Sequence, residues 1–315
     1  NPWPDMRLMG VLNRIALAYT AAGLLFCLFK PRTLVAICCG ILLGYWAMLA
    51  FIPIRDIQLE KTNLATLADY AGDPKTARLF REAGNASAVN PSAIKDSPTW
   101  AAAEAMYAAT TNRVTGKYDA GYNVVNHFDF EHLPARKYDL FFDPEGILST
   151  LPAIATCLLG VFAGLLLQSG TFSNDKKLAW LFGAGVACVA LGWLWGLQFP
   201  VIKKIWTSSY VLVAGGYSAV LLGAFYLVVD VWKCQKWCQP FVWMGMNAIT
   251  IYLVKNFLGG TFSRLSARLV GGDIKLWLDA HVAKGLGDLI ISIVGLLLAF
   301  WLVRFLYQKK IFLRV

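Results

Sequence analysis

Residues Ile147–Leu167 read ILSTLPAIATCLLGVFAGLLL, twenty-one positions without one charged side chain. As an α-helix this stretch is about 31 Å long, the thickness of a bilayer's hydrocarbon core. It is apolar all round, where a surface helix of a water-soluble domain keeps a polar face. Runs of the same kind recur at Leu8–Phe29, Leu34–Ile54, Leu178–Leu197, Tyr210–Val229, Pro240–Leu258 and Leu286–Leu306. The expectation is an all-α, polytopic membrane bundle of seven spans in three parts: two spans in 1–54, a polar insertion in 55–142, and five spans in 143–315.

Composition agrees. Of 315 residues, 57% are hydrophobic and 15% charged, against about 25% charged in soluble domains. A net charge of +10 suits a nucleic-acid partner, but the distribution of the charge excludes one. Lys30 and Arg32, Lys176 and Lys177, Lys233 and Lys236, then Arg304, Lys309, Lys310 and Arg314 occupy alternate short loops and the C-terminal end, as the positive-inside rule requires of a cytoplasmic face. The partner is therefore a lipid bilayer. The C-terminus is expected inside and this chain's N-terminus outside, with the 55–142 insertion extracytoplasmic. Lys255, Arg264, Arg268, Lys275 and Lys284 run against the rule in the last external loop, partly offset by Asp273, Asp279 and Asp288.

The insertion mixes a helix-like Pro98–Ala109 with turn signals at Gly72-Asp73-Pro74 and Asn90-Pro91, and reads as a small helical cap. Five of seven cysteines (Cys27, Cys38, Cys39, Cys157, Cys188) lie in spans as small apolar residues. Cys234 and Cys238 have no second ligand pair, so no metal is expected. The opening Asn1-Pro-Trp-Pro lacks an initiator Met and starts just before a span, which reads as a fragment of a longer protein.

Ionisable groups in or beside spans are the functional candidates. Arg14 lies inside the first span, where it either snorkels to the headgroups or faces inward to bind a carboxylate or phosphate. Asp143-Pro-Glu145-Gly opens the third span. Asp143 is expected to cap that helix, with Glu145 turned toward the bundle; the alternative is a carboxylate pair that orients an amine or sugar hydroxyls. Lys203 and Lys204 sit outside, against the charge rule, beside Trp206, and suit an anionic glycan or phosphate-bearing donor; Ser208 or Ser209 is expected to cap the following helix. Asn247 is a polar amide within the sixth span, suited to interhelical hydrogen bonding. His127, His132 and His281 are loop histidines, each a candidate acid or base and each equally a solvated side chain.

Read in order, these places resemble one family. Arg7-Leu-Met-Gly-Val-Leu-Asn-Arg14-Ile-Ala-Leu-Ala-Tyr19, Phe142-Asp-Pro-Glu-Gly-Ile-Leu-Ser-Thr150, Phe199-Pro-Val-Ile-Lys-Lys-Ile-Trp-Thr-Ser-Ser-Tyr210, Gly245-Met-Asn247 and Tyr307-Gln-Lys-Lys-Ile-Phe312 resemble the heparan-alpha-glucosaminide N-acetyltransferase family and its bacterial members. The resemblance implies a bacterial inner-membrane acyltransferase of about ten spans when full-length. Such an enzyme moves acetyl from cytosolic acetyl-CoA, as co-substrate, to an amino sugar or glycan across the membrane, and a homodimer is left open. It assigns Arg7, Arg14, Asp143, Glu145, Lys203, Lys204, Trp206 and Asn247 to substrate binding, with Lys204 standing where the family commonly has Asn. The family's catalytic histidine sits in a His-x-x-Trp-x-Gly-like stretch that this chain lacks, so it is expected upstream and this chain alone is expected to be inactive. The competing class is a transporter or flippase for a sugar or anionic lipid precursor. Neither internal repeats nor Gly/Pro-broken central helices are evident in the sequence to favour it.

Overall fold

The structure, a computed structural model, describes residues 7–85, 98–134, 137–257 and 261–312. Asn1-Pro-Trp-Pro, Asn90-Pro91 and Arg314 lie outside these residues. The chain forms two units, Asn1–Ala224 and Phe225–Val315.

In the first unit, α1 (Val11–Leu28) and α2 (Pro31–Phe51) form an apolar hairpin. Pro31 begins α2, where its missing N–H costs nothing. A two-stranded ribbon, β1 (Ile54–Arg55) against β2 (Arg113–Val114), closes the base of the insertion. Between them lie α3 (Lys61–Tyr70), α4 (Pro74–Asn85) and α5 (Pro98–Ala109). Asp73 caps α4 by accepting from the Thr76 N–H at 3.1 Å and its hydroxyl at 2.6 Å. The α6 helix (Val124–His132) is capped by Asn123, which accepts from the Asn126 N–H at 2.9 Å. A core of Leu59, Leu64, Phe80, Trp100, Phe130 and Phe141 holds the insertion together. Tyr45, Leu49, Val125, Phe199 and Ile205 pack the insertion onto the membrane helices.

The spans α7 (Thr150–Gln168), α8 (Asn174–Gly196) and α9 (Ser208–Phe225) complete this unit. Small residues set their spacing: a Cβ at Gly216 would lie 2.6 Å from the Gly185 carbonyl oxygen, so α8 and α9 touch backbone to backbone. Such packing serves where lipid supplies no hydrophobic drive between helices. Ser208 adds a hydroxyl bond to the Leu42 carbonyl at 2.7 Å, tying α9 to α2.

The second unit starts with a π-helical turn (Tyr226–Val231) and a 3₁₀ turn (Lys236–Cys238). It continues through α10 (Gln239–Met246), α11 (Ala248–Phe257), α12 (Thr261–Val270), α13 (Gly272–His281) and α14 (Leu286–Gln308). Lys275 and Asp288 pair at 2.6 Å, so part of the charge before α14 is neutralised locally.

Among the described residues, six helices, not seven, are long and apolar enough to cross a bilayer: Val11–Leu28, Pro31–Phe51, Thr150–Gln168, Asn174–Gly196, Ser208–Val231 and Leu286–Gln308. The missing one is Pro240–Leu258, which breaks at Asn247 into α10 and α11. There the backbone turns to φ −125°, ψ 21° and the Asn247 N–H bonds Met244 O instead of continuing the α-ladder. Gly245 and Asn247 are both poor helix formers, and Asn readily bonds local backbone. The chain is an all-α, multi-pass membrane protein. Leu194, Leu197 and Trp301 are each well over half exposed, as lipid-facing side chains should be.

Candidate functional site

The candidate side chains gather around the 137–149 segment, between the insertion and α7. Asp143 is fully buried, and four donors converge on it. Arg7 grips it with a fork, Nε to Oδ2 at 2.7 Å and Nη2 to Oδ1 at 2.6 Å. The backbone N–H groups of Tyr138 (3.1 Å) and Glu145 (2.9 Å) bond the same two oxygens. Bidentate guanidinium–carboxylate pairs of this kind are strong and fix orientation. The Arg7 guanidinium is raised further above its already high value, chiefly by the hydrogen bond to Asp143. Arg7 Nη2 also bonds Glu145 Oε2 and lies 5.1 Å over the Tyr138 ring. Glu145 Oε1 has no partner among the described residues, and its side chain is partly exposed. One carboxylate is thus saturated while the other keeps a free oxygen.

Asp143 does not cap the third span. The α7 helix begins at Thr150, after Ser149, and residues 143–149 form turns instead, with Gly146 N–H to Asp143 O at 3.0 Å. The carboxylate that was to cap the helix is consumed by Arg7 and two local amides. Nor does Ser208 or Ser209 cap α9. Thr207 does, accepting from the Tyr210 N–H at 3.3 Å.

Arg14 is buried rather than snorkelling. Its Nη2 donates to Ser149 Oγ at 2.6 Å and to the carbonyls of Ser149 and Pro144 at 3.2 Å each, so it supports the acidic loop from below. Its Nε is buried without a partner among the described residues. The guanidinium lies 4.3 Å over the Trp206 ring, a desolvated cation–π contact. Trp206 adopts φ +54°, a left-handed conformation that costs a bulky residue of order 1–3 kcal/mol and persists only where surroundings enforce it. The enforcement is visible: indole Nε1 donates to Thr156 Oγ1 at 3.1 Å, and the ring packs edge-on against Tyr210.

Lys203 and Lys204 are solvent-exposed at the rim. Lys204 Nζ approaches Asp139 at 3.8 Å, and Lys203 has no side-chain partner among the described residues. Asn247 belongs to the second unit. Among the described residues it makes no interhelical bond: Nδ2 reaches back to Trp243 O at 3.3 Å, while the buried Oδ1 has no partner there. The histidines stand apart from this chemistry. His127 is buried with Nδ1 on the Tyr107 hydroxyl (3.2 Å) and Nε2 on Ile57 O (3.1 Å), and burial pushes it down to about 4. His132 and His281 are exposed, each bonded to the carbonyl four residues back.

Sequence reasoning passed over Asp129. This carboxylate on α6 is fully buried beneath the acidic loop, accepting from the N–H groups of Ile147 (3.2 Å) and Asp143 (3.4 Å). Burial pushes it up to about 7, with the nearby Asp143 adding to the rise. A Cβ at Gly146 would fall 1.9 Å from Asp129 Oδ2, so the glycine makes room for it. The signal was there: Asp129 lies four residues from both Val125 and Leu133, a charge in the middle of a buried helical stripe.

No family model matches the chain. Among curated proteins, the heparan-alpha-glucosaminide N-acetyltransferase of Homo sapiens is 36% identical over 121 residues, covering 36% of this chain and 18% of that protein. The Mus musculus protein of the same name is 28% identical over 186 residues, covering 56% of this chain and 26% of that protein. The matches support a family-level relationship to these proteins, of whose length the chain spans about a quarter or less.

Proposed function

We propose that the chain belongs to a transmembrane acyltransferase that carries acetyl from cytosolic acetyl-CoA to the amine of an amino sugar on the outer face. The observation that carries this reading is the Arg7–Asp143–Glu145 constellation, buttressed by Arg14 and Trp206, in a relative of N-acetyltransferases. In the reaction the thioester C–S bond breaks and an N–C amide bond forms. CoA leaves as the thiol, and a general base accepts the proton the amine loses. Asp143 locks Arg7, and Arg7 fixes Glu145, whose free oxygen accepts a hydrogen bond from the sugar's ammonium or a hydroxyl. The base is assigned to the family's histidine, which His127, His132 and His281 do not match. Lys203 and Lys204 draw in an anionic donor or acceptor from the rim.

One observation favours the transport class instead. A helix broken at Asn247, with a buried amide oxygen that has no partner among the described residues, resembles the discontinuous helices of secondary transporters. Isotope-labelled acetyl-CoA added to inside-out vesicles of the full-length protein separates the two. Acetyl transfer to glucosamine sealed inside is expected; glucosamine movement without acetylation reverses the assignment. In the same assay, Lys203→Ala/Lys204→Ala is expected to raise KM for an anionic substrate about 3–10-fold at low salt and about 2-fold or less at 0.5 M salt, because exposed charges are screened. Thermal stability should not change.

A further inference from the structure

Trp206 also walls a second space. A cavity of about 620 Å³ lies among α7, α8 and α9, with Thr156 and Trp206 at one end and Leu166, Trp180 and Leu222 at the other. Along α7, the ten residues from Thr156 to Leu166 give it a length of about 15 Å. Its walls are overwhelmingly apolar, and the helices that form it are candidate membrane spans. Water does not fill such a space, since it finds no polar partners there; in a bilayer its natural content is hydrocarbon. What distinguishes it from any lipid-facing crevice is its end wall. The same indole carries the Arg14 guanidinium 4.3 Å over its ring, and Arg14 bonds Pro144 and Ser149 of the loop that presents Glu145. One indole thus forms the end wall of the apolar cavity and the seat of the arginine that supports the acidic loop.

We propose that the acceptor is a lipid-linked amino sugar, its head at Glu145 and its hydrocarbon chain in the cavity between α7, α8 and α9. This rests on the acyltransfer reading for the reaction, though not for the binding. A free sugar uses only the polar half of the arrangement; an amphiphile uses both.

The test compares methyl and dodecyl glucosaminides, each with a free 2-amine, as acceptors for the full-length protein in nanodiscs. Burial of the chain is expected to favour dodecyl over methyl by at least about 10-fold in kcat/KM. Ala214→Phe, eight residues from both Trp206 and Leu222 and so at the cavity's mid-length, is expected to reduce that preference to about 2-fold or less while leaving the methyl glucosaminide unaffected. A native preference of less than about 2-fold overturns the proposal and leaves acetyl transfer standing. A photoreactive dodecyl glucosaminide decides the matter independently of turnover. It should label α7 and α9, and free dodecyl glucosaminide should compete where dodecyl glucoside does not. Equal competition by the glucoside or phospholipid means that bulk lipid fills the cavity, and competition by CoA means that the donor's arm does; either overturns the proposal. Absence of turnover on every acceptor overturns the acyltransfer reading alone.

Discussion

Asp143→Ala in the full-length protein is expected to lower acetyl transfer by at least about 10²-fold and to destabilise the fold by about 3 kcal/mol. The carboxylate is fully buried and holds four donors: two from Arg7 and two from the backbone of the loop it belongs to. Removing one member of a buried pair leaves the other's charge uncompensated, at about 3–5 kcal/mol. The lower end applies because Arg7 is 28% exposed and keeps its contact with Glu145. The loss in rate follows from geometry: displacement of a positioned group by about 1 Å costs of order 10²-fold, and Glu145 is positioned only through Arg7 and the loop. Arg7→Lys retains the charge but not the fork, so it should fall close to Arg7→Ala in rate while retaining more stability. A cycle of Arg7→Ala, Asp143→Ala and the double variant, read by thermal melting in detergent, is expected to show a coupling of about 1.5–3 kcal/mol. Additivity within about 0.5 kcal/mol would refute the paired arrangement.

What the sequence disclosed and what it hid follow different physics. Long apolar runs are legible because the bilayer imposes one length on every span, and six of the seven proposed spans coincide with helices to within a few residues at their ends. Arg14 and the Asp143–Glu145 pair stood out because charge beside lipid is expensive. Sequence position could not decide whom those charges meet. Asp143 was a plausible helix cap until Arg7, 136 residues away, took its oxygens. The break at Asn247 was hidden for the opposite reason: hydropathy averages over the window and does not register one residue leaving the helical ladder. Asp129 was hidden by its surroundings, since a carboxylate in a polar insertion reads as solvated unless helical periodicity places it on the buried face.

Asp129 yields the other large effect, through Gly146 and through pH. Gly146→Ala puts a methyl 1.9 Å from a carboxylate oxygen that cannot retreat, because both oxygens are held by backbone N–H groups. The loop carrying Asp143 and Glu145 must move instead. A loss of at least about 3 kcal/mol is expected, the upper range for overpacking, with transfer abolished; Asp129→Ala in the same chain makes room and should recover part of the stability. The pH response has two opposed parts. The Asp129 carboxyl, raised from about 4 in the unfolded chain to about 7 in the fold, binds its proton more tightly when native. Its contribution is full below about pH 4 and is lost as pH rises through 7. His127 is depressed from about 6.5 to about 4, so its contribution is full above about pH 6.5 and is lost as pH falls through 4. Each shift is worth about 3–4 kcal/mol in order of magnitude. Between about pH 4 and 6.5 the two slopes oppose and largely cancel. Asp129→Asn should therefore turn a nearly flat melting-temperature profile into one that rises with pH across this window, and His127→Asn into one that falls. Parallel profiles for the native protein and both variants would remove the buried pair as the source of the pH response, and a change in Asp129→Asn alone would confine it to the carboxyl beneath the acidic loop.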